Sequence, residues 1–252
     1  HRLSMPRLNV PTVRFRFYGS LVVVVLIFLA REIGSCFLRH GLPDTPRRRT
    51  LGRRWLGFMA RLTVGYLGRV GILDCNLQAL KPLQHEKGLI LVANHPSRLD
   101  SLILASALPG MVCVTKASIW ERPTLGSTLR TAGYPRHDTL LRLLGPATTS
   151  LHEGCQLLLF PEGTRSRAGE APSAFQAGFA AIAQRTRKAV QPILIETTSP
   201  YLSQGWPFYK QPPLPMRYSV SLPPRFSAPA RDEASGRALV DAVERIFQTT
   251  TR

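Results

Sequence analysis

From Leu73 onward, short apolar runs alternate with longer segments whose apolar positions recur every three or four residues. The short runs are rich in Val, Ile and Leu and are largely apolar on both faces, which is typical of buried strands in a parallel sheet. Their alternation with helical patterns predicts βαβ units, hence an α/β fold with a largely parallel central sheet flanked by helices. The predicted buried strands are Gly88–Asn94, Met111–Lys116, Gln156–Phe160 and Val190–Glu196.

The segments between and after these strands complete the predicted domain. Ser199–Met216 is rich in proline and aromatic residues and predicts a long loop. Arg217–Leu222 then has the alternation of an edge strand, and Asp232–Thr249 that of a closing amphipathic helix. Helices are predicted around Asp100–Ala107, Pro123–Thr131, Thr139–Glu153 and Ser173–Arg187.

The N-terminal part has a different pattern, dominated by the apolar run Phe17–Ala30. Fourteen helical residues span about 21 Å, less than the roughly 30 Å hydrocarbon core of a bilayer. Three interpretations stay open: a cleaved signal peptide, a full transmembrane helix whose flanking arginines snorkel, and a monotopic helix that enters and leaves at one face. Arg31 and Glu32 interrupt the signal-peptide pattern, and basic residues on both flanks favour the monotopic helix.

The segment after Pro46 predicts a second, amphipathic helix. Its apolar and aromatic positions recur at three- and four-residue steps with arginines between them, as in helices that lie in a headgroup layer. A helix packed on the domain with a solvated basic face is the alternative, and four glycines lower its helix propensity. We therefore divide the chain into an N-terminal membrane-associated helical pair, residues 1–71, and an α/β domain, residues 72–252.

Charge supports the membrane interpretation. The chain has 33 Lys+Arg against 15 Asp+Glu, a formal charge of +18. Residues 1–71 contain 13 basic and 2 acidic residues, a net charge of +11, so the remaining residues contribute only +7. This excess lies beside the apolar run, which favours anionic membrane lipids over nucleic acid as a partner. The four cysteines have no CxxC spacing, which favours buried free thiols in a reducing cytosol over disulfides or a zinc site.

Three polar segments follow three predicted strands. They are Asn94–Asp100, Lys116 and the turn Phe160–Gly169. Because ligands bind at the carboxyl ends of strands in open α/β sheets, we expect these segments to meet at one edge of the sheet.

The first segment contains His95 and Asp100, five residues apart. A histidine removes a proton from a hydroxyl near neutral pH, and a carboxylate on its second nitrogen fixes its tautomer. Such a pair without a protein nucleophile indicates direct attack by a substrate hydroxyl on an activated acyl group. A polar turn without catalytic function is the alternative, and Ser97 lacks the elbow sequence expected of a nucleophile.

The turn after Phe160 has the composition of an anion site. Arg165 and Arg167 offer forked donors that match phosphate oxygens, and Gly163 lets backbone N–H groups face an anion. A surface turn with solvated charges is the alternative.

Together these segments resemble the four sequence blocks of the 1-acylglycerol-3-phosphate O-acyltransferase family. "NHPSRLD" is similar to its NHxxxxD block and "FPEGTRS" to its third block. "KASIWERPTLG" has the Lys, Pro and Gly spacing of the second block, and "VQPILIE" is similar to the fourth. The second block departs from the family where an Arg is expected in an apolar strand: Arg136 is the nearest candidate and Arg142 a poorer one.

The resemblance implies roles for the matching residues. His95 is the expected general base and Asp100 its orienting partner. The expected binding residues for the glycerol phosphate of the acceptor are Lys116, Arg136, Glu162, Gly163, Thr164 and Arg165. Family members take acyl groups from acyl-CoA or acyl carrier protein, need no metal or organic cofactor, and work at the cytoplasmic face of a membrane, here the inner membrane.

The leading functional prediction is acylation of lysophosphatidic acid to phosphatidic acid. The altered segment around Arg136 leaves a second acceptor open, such as a lyso-ornithine lipid or a polyene lipid. A non-enzymatic basic membrane adaptor is the alternative from a different functional class, and four spaced blocks disfavour it.

Overall fold

The computed structural model describes residues 10–161 and 177–250, and its centre is a six-stranded sheet. The strand order is β1-β8-β7-β2-β6-β3, and the neighbours β7 and β8 are antiparallel while the other neighbouring pairs are parallel. The α/β prediction is thus confirmed. The strands are β1 (Leu73–Asn76), β2 (Ile90–Ala93), β3 (Met111–Cys113), β4 (Thr115–Lys116), β5 (Arg136–His137), β6 (Gln156–Leu159), β7 (Val190–Thr197) and β8 (Met216–Ser221), of which β4 and β5 form a separate parallel ribbon.

The prediction of an edge strand at Arg217–Leu222 was wrong. β8 lies inside the sheet, and the edge is occupied by β1, which the hydrophobic pattern did not reveal. β1 has only four residues, of which Leu73 alone is fully buried, so it is too short and too polar to show a period. β8 alternates buried and exposed positions because charged Arg217 and the serines point away from the core.

The helices follow the predicted order. They are α1 (Val10–Gly41), α2 (Pro46–Arg69), α3 (Asp100–Ala107), α4 (Ala117–Trp120), α5 (Leu125–Thr131), α6 (Leu140–His152), α7 (Gly178–Thr186) and α8 (Glu233–Thr250), with a 3-10 helix at Gln78–His85. The first predicted helix residues of α7, 173–176, lie outside the described part of the chain.

Two hydrophobic clusters lie on the two faces of the sheet. Along β2, Leu91 and Ala93 point to the cluster beneath α1, α2 and α3, while Ile90 and Val92 point to the cluster beneath α6, α7 and α8. Successive side chains of a strand point to opposite faces, and both faces are covered, so every position of β2 is apolar and buried.

α1 turns Ser20, Ser35 and Phe17 inward and most of its other apolar residues outward. The Ser20 hydroxyl lies 3.2 Å from the Tyr66 hydroxyl of α2, and Thr128 of α5 donates to Glu32 at 2.8 Å. The outward side chains are more than one third exposed: Phe15, Tyr18, Val22, Val25, Leu26, Phe28, Leu29, Ile33 and Phe37. By length and composition, Val13–Gly41 is long and apolar enough to cross a membrane, with a mean hydropathy of 2.3 and 6% of its most apolar window buried.

α2 is helical in spite of its glycines because two of them permit close packing. A Cβ at Gly52 would lie 2.8 Å from the carbonyl oxygen of Thr131, and one at Gly57 would lie 3.1 Å from Pro109. Helix α2 therefore packs against α3 and α5 at backbone distance. Arg53 of α2 is buried and pairs with Glu153 at 3.4 Å, so not every arginine of this helix faces solvent. The division at residues 71 and 72 stays a prediction.

Candidate active site

As far as the structure describes them, the polar segments begin at strand ends on one side of the sheet. β2, β6 and β3 are successive parallel neighbours, so the turn that begins at Asn94, the Phe160–Pro161 segment and Lys116 all follow carboxyl ends on the same side. The predicted binding residues Glu162, Gly163, Thr164 and Arg165, and Arg167 beside them, lie outside the described residues.

His95 and Asp100 form a hydrogen-bonded pair. The Nδ1 atom of His95 lies 2.8 Å from an Oδ2 atom of Asp100, whose side chain is fully buried, while the His95 side chain is 19% exposed. A carboxylate on Nδ1 favours the tautomer with its proton on that nitrogen. Nε2 is then the nitrogen available to accept a proton, and this arrangement suits a general base.

The five-residue spacing produces this pair because side chains of the turn bond its own backbone. Asp100 is the first residue of α3, and its Oδ2 accepts from the backbone N–H of Ser97 at 2.7 Å. The Ser97 hydroxyl oxygen accepts from the backbone N–H of Leu99 at 3.2 Å. Asp and Ser side chains commonly bond nearby backbone N–H groups in turns. The carboxylate that orients His95 thus also holds the turn before α3.

Ser97 is fully buried, and its hydroxyl donates to the carbonyl of Tyr201 at 2.9 Å. A side chain that is fully buried and bonded on both sides cannot act as an exposed nucleophile. Ser97 therefore has a structural role in the turn, which leaves direct attack by an acceptor hydroxyl as the chemistry that the site favours.

Two further residues hold the turn from either side, although their function was not recognised from the sequence. The Asn94 side chain donates to the Ile195 carbonyl at 2.8 Å and accepts from the Ile195 N–H at 2.7 Å, which ties the end of β2 to β7. Phe160, the residue after β6, stacks on the His95 ring with centroids 4.0 Å apart. Both belong to the quoted motifs, but their contacts depend on which strands are neighbours, which a motif does not show.

Tyr218 of β8 lies beneath the turn, and its hydroxyl is buried near Ser97 and Asp100. Burial, reinforced by the negative charge of Asp100, raises the pKa of Tyr218 to about 12. The phenol therefore stays protonated across the neutral range, and no second negative charge develops beside Asp100.

Lys116 and Arg136 lie on the β4–β5 ribbon, where Lys116 pairs in register with His137. Lys116 is exposed. The Arg136 guanidinium contacts Asp138 at 2.6 Å and Glu121 at 2.9 Å, and it lies 5.5 Å from the ring centroid of Trp120. These carboxylates raise the pKa of Arg136, chiefly through the hydrogen bond to Asp138.

Arg136 also lines an open cleft of about 630 Å³ between α2, α5 and α6, whose walls include Arg49, Trp120, Arg130 and Arg142. Among the described residues, those that line the cleft do not include His95 or Asp100. The role of Arg136 in acceptor binding stays a prediction.

Cysteine and metal chemistry give no further site in the described ranges. All four cysteines are free, with Cys113 and Cys155 buried, Cys75 half-buried and Cys36 exposed on α1, so the expectation of burial was wrong for Cys36. Within residues 10–161 and 177–250, no three His, Cys, Asp or Glu side chains cluster as metal ligands.

Comparisons with known proteins agree with this geometry. A family model described as Acyltransferase matches residues 74–196. A 1-acyl-sn-glycerol-3-phosphate acyltransferase of Helicobacter pylori is 32% identical over 128 residues, which are 48% of this chain and 54% of that protein. A lyso-ornithine lipid O-acyltransferase of Pseudomonas aeruginosa is 32% identical over 165 residues, 63% of this chain and 59% of that protein.

The crystal structure of the 1-acyl-sn-glycerophosphate acyltransferase PlsC from Thermotoga maritima has the same fold. It covers 95% of this chain and 93% of its own, with a TM-score of 0.65 and 19% identity. Fold and motif order together are similar to those of an α/β acyltransferase domain. The chain spans little more than half the length of the two curated relatives, 54% and 59%. Over the matched residues, the chain is thus similar to glycerolipid O-acyltransferases.

Proposed function

We propose that the protein is a membrane-associated acyltransferase that moves a fatty acyl chain from a thioester donor, acyl-CoA or acyl carrier protein, to the free hydroxyl of lysophosphatidic acid. The product is phosphatidic acid. The observation that carries this proposal is the His95–Asp100 pair at 2.8 Å, in which the histidine side chain is 19% exposed and the carboxylate is fully buried.

In the proposed reaction, Nε2 of His95 takes the proton of the acceptor hydroxyl as its oxygen attacks the thioester carbonyl carbon. A C–O bond forms, the C–S bond breaks, and the sulfur leaves as a thiol after it receives the proton from the imidazolium. Asp100 holds the ring in one tautomer and stabilises the imidazolium. The proposed machinery uses no metal or organic cofactor.

Binding of the acceptor's glycerol phosphate is assigned to Lys116 and to the turn Glu162, Gly163, Thr164 and Arg165, with Arg136 as a further cation. Support comes from strand order: β6, which precedes the turn, lies between β2 and β3, so the turn begins next to both His95 and the ribbon. An arginine fork in a glycine-containing turn matches phosphate oxygens.

Membrane association is supported by the apolar outer side of α1. Its outward side chains are apolar along the helix, and the neighbouring α2 exposes Leu51, Phe58 and Leu62 between arginines. Aromatic and aliphatic side chains mixed with Arg fit the headgroup layer, and Arg also attracts anionic lipids. Trp55 of α2 donates to the Arg31 carbonyl at 3.0 Å, which holds α1 against α2. We assign the protein to the cytoplasmic face of the inner membrane because the family resemblance implies it.

A second acceptor, a lyso-ornithine lipid, is favoured by the Pseudomonas aeruginosa relative, which aligns over 63% of this chain. The chemistry of transfer is the same, and only the headgroup differs.

A donor-by-acceptor activity matrix tests both candidates. Purified protein in mixed micelles is given acyl-CoA or acyl carrier protein thioesters with each lyso-lipid, and the products are identified by mass. Formation of phosphatidic acid that disappears in His95→Ala is the expected result. Turnover only with a non-phosphate acceptor would support the second candidate. Absence of transfer with every combination of donor and acceptor would support a non-enzymatic basic membrane adaptor.

A further inference from the structure

The loop between β7 and β8 ends in two exposed aromatic rings. Phe208 is 63% exposed and Tyr209 is 62% exposed, and their ring centroids lie 5.7 Å apart. Together with Trp206 and Lys210 they form the segment Trp206–Lys210, which we name the aromatic tip. Phe and Tyr normally contribute large buried areas in proteins, so two adjacent exposed rings indicate a surface that binds something.

The aromatic tip is a stiff turn. The indole N–H of Trp206 donates to the Lys210 carbonyl at 3.0 Å, and the Lys210 backbone N–H donates to the Pro207 carbonyl at 3.1 Å. The Lys210 ammonium also lies 4.5 Å from the Trp206 ring centroid. These contacts hold the two rings outward and keep them from folding back onto the domain.

The aromatic tip is connected to α1 through buried contacts. The Tyr201 hydroxyl donates to the Phe208 carbonyl at 2.7 Å, and the Tyr201 ring packs edge-on against Phe17 of α1, with centroids 5.7 Å apart. Phe17 in turn packs against Tyr18, which is 47% exposed. The position of the tip is therefore coupled to that of the apolar helix.

The same loop is bonded to the turn that carries His95. The backbone carbonyl of Tyr201 accepts from the Ser97 hydroxyl at 2.9 Å, and the Arg98 backbone N–H donates to the Leu202 carbonyl at 3.3 Å. Burial raises the pKa of Tyr201 to about 12, so its hydroxyl remains a donor to Phe208 over the neutral range. A short chain of contacts thus connects the aromatic tip to the residues between His95 and Asp100.

We propose that the aromatic tip is a second bilayer contact, separate from the helical pair, which holds the His95 turn at the lipid surface. The occupant is an anionic bilayer, because aromatic rings beside a lysine have the composition of membrane-interface anchors. The inference rests on the proposed acyl transfer to membrane lyso-lipids only for its catalytic consequence. Binding of the tip to lipid is measurable without turnover.

The test compares the wild-type chain with the double variant Phe208→Ser/Tyr209→Ser. Binding is measured by co-sedimentation with vesicles of equimolar phosphatidylcholine and phosphatidylglycerol. Loss of two half-exposed rings is expected to weaken partition by about tenfold or more. Transfer to lysophosphatidic acid in the same vesicles should fall with binding, while transfer to a short-chain acceptor dispersed as monomers should fall far less.

Leu141→Ser is the matched control. Leu141 is 84% exposed on α6, which packs on the opposite face of the sheet from Tyr201 and Phe17, so its loss should leave vesicle binding unchanged. Tyr201→Phe keeps the ring packing and removes only the bond to Phe208, and a partial loss of vesicle binding is expected. Circular dichroism and thermal unfolding establish that each variant is folded.

Equal vesicle binding by the double variant and the wild-type chain would overturn the inference, as would equal rate losses with vesicle and dispersed acceptors. Failure of the proposed function has a different signature: no transfer to any acceptor by the wild-type chain. Weakened binding of the double variant would still support the tip as a bilayer contact in that case.

Discussion

The turn after β2 and the β4–β5 ribbon hold their polar side chains in opposite ways. After β2, Asp100 is fully buried and bonded to both His95 and the Ser97 backbone, so burial and hydrogen bonds fix its position. On the ribbon, Arg136 is 35% exposed and is held by Asp138, Glu121 and the Trp120 ring, where water also reaches. A group that must take a proton at one atom needs fixed geometry, whereas a group that attracts an anion needs charge and access.

The largest expected effect comes from replacing Asp100, the buried carboxylate of the turn after β2. Both bonds of the carboxylate go to one atom, Oδ2, so in Asp100→Asn the amide oxygen can keep both, but the negative charge that stabilises the imidazolium is lost. We expect kcat to fall by about 10²–10⁴-fold, as for His95→Ala, with little change in thermal stability. Asp100→Ala is the matched variant, because it also removes the acceptor of the Ser97 N–H and should lower both activity and stability. Near-normal kcat in Asp100→Asn would remove Asp100 from the mechanism.

The variant Ser97→Ala tests whether the Ser97 hydroxyl stabilises the turn or takes part in the reaction. Removal of the hydroxyl leaves the buried Tyr201 carbonyl and Leu99 N–H without their bonds, which should destabilise the fold by about 1–3 kcal/mol. Activity should fall less than in His95→Ala, because the His95–Asp100 pair does not include this hydroxyl. Urea unfolding gives the stability change and steady-state kinetics the rate. A loss of activity as complete as that of His95→Ala, in a stable variant, would contradict the structural role.

The buried groups Tyr218 and Cys113 should lower the stability of the fold at alkaline pH, whereas the carboxylate of the ribbon acts at acid pH. Burial raises the pKa of Tyr218 from 10.0 to about 12 and that of Cys113 from 9.0 to about 12. Their neutral forms stabilise the fold, so this stability is fully present below about pH 9 and is lost as the pH rises towards 12. Tyr218→Phe should make the alkaline fall in melting temperature shallower. An unchanged alkaline profile in that variant would contradict its burial beneath the turn.

On the ribbon, the hydrogen bond from Arg136 lowers the pKa of Asp138 below its usual value. A depressed carboxyl pKa stabilises the fold above the unfolded value, and that contribution is lost as the pH falls through the folded pKa. Because water reaches the pair through the 35% exposed Arg136, the acid response of Asp138→Asn should differ little from that of the wild-type chain. A large difference in acid melting profiles would indicate that the ribbon is held more tightly than its exposure implies.

The smallest expected effect is that of Arg136→Ala on acceptor binding. One solvent-exposed cation supplies up to about fivefold in affinity, so the acceptor KM should rise within that range while kcat stays constant. Arg142→Ala, which removes a more exposed cation from the same cleft, is the control and should change neither constant. A fall in kcat without a change in KM would exclude the assignment of Arg136 to the acceptor phosphate.

The sequence predicted most of the fold because the central strands are buried on both faces and so form unbroken apolar runs. β1 escaped detection, and β8 was misplaced at the edge, because pairing between distant segments is set by the tertiary fold and leaves no local period. The glycines of α2 looked unfavourable for a helix, yet Gly52 and Gly57 are required by close packing against α5 and α3.

For the site, the spacing of His95 and Asp100 was sufficient to predict their pairing. The supporting contacts of Asn94, Phe160 and Tyr218 depend on which strands are neighbours, and this could not be read from a motif. Arg165 and its turn lie outside the described residues, so their role stays a prediction.

The inward polar groups of α1 have a practical consequence for making a soluble fragment. Deletion of α1 to remove its exposed apolar surface would also remove Phe17 from the core. It would remove the hydrogen-bond partners of Tyr66, Trp55 and Thr128 as well. New apolar surface on α2 and α5 would then face water. Such a truncated chain should aggregate on expression, whereas the longer one should stay dispersed once detergent covers the outside of the helix.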